Sequence, residues 1–101
     1  ENNRSQEVLI TLTRDESGDR IINYNSIIGK LKKDLCELYK YCLQLNATLD
    51  YGSIALLNDT LILRNSIMLK DCDPVGFMKS LSYIAAKADE LEELLIKDNI
   101  Y

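Results

Sequence analysis

The sequence predicts an α+β fold: a two-layer sandwich with helices packed on one face of an antiparallel sheet, in the order ββ-α-ββ-α. Three observations predict it. Two stretches alternate with a period of two about a central turn signal, Glu7 to Ile28 and Ser53 to Lys70. Each is followed by a stretch with apolar residues three and four apart, Leu31 to Leu45 and Asp73 to Asp98. The chain has 101 residues, enough for one domain with a single modest core.

In chain order, Glu1 to Gln6 is polar and reads as a frayed end. Glu7 to Arg14 alternates, with Val8, Ile10 and Leu12 on one face and Leu9, Thr11 and Thr13 on the other. Asp15 to Asp19 is a turn, with Gly18 free to take a positive φ. Arg20 to Ile28 returns as a strand, with Ile22, Tyr24 and Ile28 on one side, and Gly29 breaks it. Leu31 to Leu45 carries the stripe Leu31, Leu35, Leu38, Tyr39, Cys42 and Leu45, with Lys33 and Glu37 on the outer side. Asn46 suits the left-handed conformation that closes a helix.

Ser53 to Leu57 is a short strand, and Asn58-Asp59 a tight turn. Thr60 to Lys70 is the longest strand. Leu61, Leu63, Ile67 and Leu69 point one way; Ile62, Arg64, Ser66, Met68 and Lys70 point the other. Asn65 falls among the apolar set and reads as a bulge or a strand end. The last helix is the best specified. Asp73 is an N-cap and Pro74 occupies the first helical position, where its missing N–H costs nothing. Phe77, Leu81, Ile84, Ala85, Ala88, Leu91 and Leu95 form its stripe. Gly76 weakens the first turn by roughly 1 kcal/mol relative to Ala.

Composition narrows function by exclusion. The net charge of −4 is dispersed, against a nucleic-acid binder, which needs a basic face. The short cluster Lys30, Lys32 and Lys33 reads as a solvated helix start. No apolar run approaches the roughly 20 residues of a membrane span. Cys36, Cys42 and Cys72 form an odd set without a CxxC, and there is no His, so the expectation is no zinc site and three reduced, buried or half-buried thiols in a cytoplasmic protein. The Asn46 and Asn58 sequons read as chance. Scattered single glycines write no phosphate or dinucleotide loop. No nucleophile–base pair is evident, so no catalytic residue, metal or cofactor is expected.

What remains is surface. A sandwich that covers one sheet face leaves the other open. The open face of the second hairpin would carry Leu57, Ile62, Arg64 and Met68, a mixed apolar–Arg patch of the kind found at protein contacts. A different class of reading is a ligand-binding or enzymatic pocket between helices and sheet, lined by Tyr24, Tyr39 and Cys42. A third is a structural subdomain of a longer protein.

Residues 35–95, from LCELYKYCLQLNATLDYGS to AKADELEELL, resemble the C-terminal two-thirds of type III secretion chaperone-like domains, the CesT-type effector chaperones and the YbjN-like proteins. The likeness lies in a helix ending in Leu45-Asn46-Ala47, a two-stranded turn, an acidic turn and a long last helix; the hairpin LITLTRDESGDRII looks like the opening hairpin of such domains. The resemblance implies a non-enzymatic bacterial domain, often a homodimer, that binds or regulates a partner protein. Those domains usually start with an extra helix, whereas Glu7 here already starts a strand. The expectation is therefore a fragment or a reduced member, nearer the YbjN-like side than the classical effector chaperones.

Overall fold

The computed structural model describes residues 7–32 and 35–97, with only the backbone of Lys97. The expectations for residues 1–6, for Lys33 and for a helix end at Asp98 lie outside these. The first hairpin joins β1 (Leu9–Arg14) to β2 (Arg20–Lys30). Its turn is a type I turn followed by a left-handed glycine. The Gly18 N–H donates to the Asp15 carbonyl at 3.0 Å, the Asp15 N–H to the Asp19 carbonyl at 2.9 Å, and Gly18 has φ 88. Asp15 Oδ1 accepts the N–H groups of Ser17 and Asp19, both at 2.9 Å, so this carboxylate organises the turn.

α1 (Cys36–Asn46) leads to the second hairpin, β3 (Ser53–Leu57) and β4 (Thr60–Met68), joined through Asn58 at φ 57. A single 3-10 turn, Leu69–Asp71, then delivers the chain to α2 (Pro74–Glu92), which ends in a π turn over Glu93–Lys97. The N-cap of α2 is as expected: Asp73 Oδ2 accepts the Gly76 N–H at 2.9 Å, with Pro74 in the first turn. The sheet order is β1-β2-β4-β3, antiparallel throughout. The hairpins meet along β2 and β4, from Ile21 opposite Met68 to Lys30 opposite Thr60.

The helices cover one face. Ile22, Tyr24 and Ser26 of β2, Leu61 and Leu63 of β4, and Ile54 of β3 are buried on that face, beneath Leu38 and Cys42 of α1 and Ile84, Ala88 and Leu91 of α2. α2 lies across β2 and β4, and α1 beside β3. Neither covers β1, so all six of its residues are exposed, including Ile10 and Leu12 on the helix side.

Five local expectations are corrected, the last of them at Asn65. Gly29 does not end β2; the strand continues to Lys30 with a register shift between Ile27 and Gly29. A Cβ at Gly29 would lie 2.7 Å from Ile96 Cγ1, so glycine lets the end of the last helical segment sit on the strand. Leu31 belongs to that extended run, buried and donating its N–H to the Asp59 carbonyl at 2.7 Å, and α1 starts only at Cys36. Asn46 is not left-handed. It is the last residue of α1, and its side chain bonds the Ile54 backbone, accepting from the N–H at 2.6 Å and donating to the carbonyl at 3.3 Å. That pins the helix to β3. Leu69 leaves the strand and is 39% exposed in the 3-10 turn.

Asn65 marks neither a bulge nor a strand end, since the β2–β4 register runs through it unbroken. Its Nδ2 donates to the Tyr24 hydroxyl at 2.9 Å. Tyr24 and Ser80 lie 2.7 Å apart, and Ser80 Oγ donates to the Phe77 carbonyl at 3.0 Å. With the serine proton so used, the Tyr24 O–H donates to Ser80. The chain Asn65→Tyr24→Ser80→Phe77 thus satisfies a buried polar group between sheet and helix, and the Tyr24 and Phe77 rings pack edge to face at 5.2 Å.

Two stability predictions follow from this packing. Tyr24→Phe keeps the ring and removes the relay, and is expected to cost about 1–2 kcal/mol in urea unfolding. Gly52 has φ 76, and a Cβ there would meet the Arg64 carbonyl oxygen at 2.6 Å. Gly52→Ala is therefore expected to cost more than about 1 kcal/mol; wild-type stability in either variant would contradict this packing.

Candidate functional site on the outer sheet face

The pleat sends alternate residues of each strand to the face away from the helices. Cross-strand pairing arranges them in rows. Ile27, Ile62 and Ala55 form one row; Leu9, Asn25, Arg64 and Ser53 the next; then Thr11, Asn23 and Ser66; then Thr13, Ile21 and Met68. Leu57 adjoins the first row at the end of β3.

The centre of the face is a polar ladder. Asn23 Nδ2 donates to Thr13 Oγ1 at 2.8 Å, Ser66 Oγ donates to Asn23 Oδ1 at 2.9 Å, and Arg64 Nη2 donates to Ser66 Oγ at 2.7 Å. These bonds fix the Arg64 guanidinium over the sheet. Beside the ladder lies the apolar row.

The four residues expected from the pattern do share this face, but not on equal terms. Leu57 is 60% exposed; Arg64 and Met68 are half-buried. Ile62 is only 8% exposed, between Ile27 and Ala55, so it supports the patch from beneath and is not a contact residue. Ile27, at 59% exposed, takes that place. Its place follows from the same alternation that puts Ile22, Tyr24 and Ile28 on the helix side, since Ile27 has the opposite parity; it lies on β2, outside the second hairpin whose open face supplied the expected patch.

The alternative pocket is not what Tyr24 and Cys42 form. Both are buried in the core cluster with Tyr39 packed against it, and the Tyr24 hydroxyl is fully engaged. The three thiols are free, and Cys36 is exposed where a buried or half-buried thiol was expected. Among the described residues, no three His, Cys, Asp or Glu side chains converge as metal ligands, and no helix is long and apolar enough to cross a membrane. Asp15 and Asp19 belong to the hairpin turn. No protein-family model and no curated protein matches the chain.

Burial raises the Cys42 thiol above its ordinary value of 9.0, because a thiolate is poorly solvated in the core. Its folded value lies above its unfolded one. That contribution to stability is whole below the unfolded value and is lost as pH rises through the folded value. Stability measured by urea from pH 8 upward is expected to fall more steeply in the wild type than in Cys42→Ala. Equal slopes would mean that Cys42 is solvated.

Proposed function

We propose that this chain is a non-catalytic protein-binding domain that offers the outer face of its sheet to a partner protein. One observation carries the reading. The helices bury one face of the sheet, and the other face holds exposed Ile27 and Leu57 beside an arginine fixed in place by Ser66. An apolar patch rimmed by oriented polar groups is the usual composition of a contact surface.

The likeness to type III secretion chaperone-like domains supports the same reading from the sequence side. It favours a bacterial cytoplasmic domain that binds or regulates one protein, with a YbjN-like role ahead of that of a classical effector chaperone. Three free thiols suit a reducing compartment. No cofactor enters the reading.

The patch is tested where the fold is not disturbed. Leu57→Glu and Ile27→Glu alter exposed positions and are expected to change stability by no more than about 0.5 kcal/mol. A photo-reactive residue at Asn25 is expected to cross-link a partner in the source cell, and the double variant to lose that product. Retention of the same cross-link at equal yield would rule out the outer face. Ile62→Glu does not serve, because it buries a carboxylate and would unfold the sheet.

A further inference from the structure

The uncovered strand β1 presents a second surface, independent of the outer face. Natural edge strands are commonly guarded by Lys, Pro, a bulge or shortness. Leu9–Arg14 has no Lys, Pro or bulge, and it pairs with β2 without a register break. Leu9 is 62% exposed on one face of it, and Ile10 and Leu12 are 48% and 64% exposed on the other. The hairpin turn decides which backbone groups meet the open edge. Asp15 bonds Asp19, and in an antiparallel ladder bonded pairs alternate. Thr13, Thr11 and Leu9 therefore turn their N–H and C=O groups toward β2, and Ile10, Leu12 and Arg14 turn theirs outward.

We infer that the occupant of this edge is β1 of a second copy, paired antiparallel about a two-fold axis at Ile10. A two-fold axis normal to the sheet preserves its faces, so paired residues must share parity. With the axis at Ile10, Ile10 meets Ile10 of the second copy and Val8 meets Leu12, apolar against apolar on the helix side. Leu9 meets Thr11 and Glu7 meets Thr13 on the outer side. Moving the axis to Thr11 opposes Val8 to Arg14 and Glu7 to Asp15, a like-charge pair. Moving it to Leu12 opposes Ile10 to Arg14. The Ile10 register is the one that gives each of the helix-side residues Val8, Ile10 and Leu12 an apolar partner without a like-charge clash. The two sheets become one of eight strands, and each copy keeps its outer patch.

The test uses the full chain. Sedimentation velocity is expected to show a mass rising with concentration from 11.5 kDa toward twice that value. Ile10→Lys sets two ammonium groups face to face across the axis and is expected to hold the chain monomeric, with an unchanged circular dichroism spectrum. The register is read separately in a Cys36→Ser, Cys72→Ser background under a mild oxidant. Ile10→Cys is expected to give a disulfide-linked dimer. Leu12→Cys is not, because its two copies lie about 13 Å apart along the strands, beyond the roughly 7 Å that a disulfide spans. A wild-type chain that stays monomeric at every concentration overturns the inference, as does cross-linking through Leu12→Cys in place of Ile10→Cys. Loss of self-association leaves the Asn25 cross-link to a partner unaffected, so the two surfaces fail or stand separately.

Discussion

The Tyr24 hydroxyl joins the two layers. β2 supplies the ring, β4 supplies Asn65 to donate to it, and α2 supplies Ser80 to accept from it. The same ring meets Phe77 edge to face. A buried phenol without partners would cost more than it contributes. With both partners present, the relay favours one placement of α2 over others that an apolar stripe alone would tolerate. The position of α2 in turn determines which sheet surface is covered.

That placement has a consequence at each side of the sheet. α2 lies over β2 and β4, and α1 is tied beside β3 through Asn46 and the Ile54 backbone. Two helices span the three strands at one side of the four-stranded sheet, so β1 is left bare on both faces. The outer face is bare for a simpler reason: nothing in the chain crosses to it among the described residues. The polar ladder from Thr13 to Arg64 then divides the outer face, keeping the apolar row of Ile27 and Leu57 at one end of it.

The two surfaces differ in kind. In the proposed reading the outer patch offers side chains on a rigid sheet to a complementary folded or extended surface. The β1 edge offers backbone groups and a short self-matching pattern. Pairing through β1 would leave both outer patches on the same side of a longer sheet, so a dimer would present two contact surfaces side by side. Linked surfaces of that kind raise the apparent affinity for an extended or repeated partner by raising effective concentration.

The sequence alone determined the class of fold, the two hairpins, the helix stripes apart from Leu31, the Asp73 cap and the faces of β4 as far as Met68, because these follow from periodicity and from short-range hydrogen bonding. Asp73 and Gly76 are three residues apart, and Gly18 lies in its own turn. Tertiary structure decided what depends on groups far apart in the chain. Asn65 reads as a misfit until Tyr24, 41 residues away, accepts from it. Asn46 reads as a helix terminator until the Ile54 backbone is set against it. Ile62 reads as open until Ile27 and Ala55 flank it, and the shared face of Ile10 and Leu12 does not reveal that the helices stop short of β1. The positions that share the outer face were therefore legible as a set. Which of them solvent reaches was settled only by the packing of neighbours that no local pattern encodes.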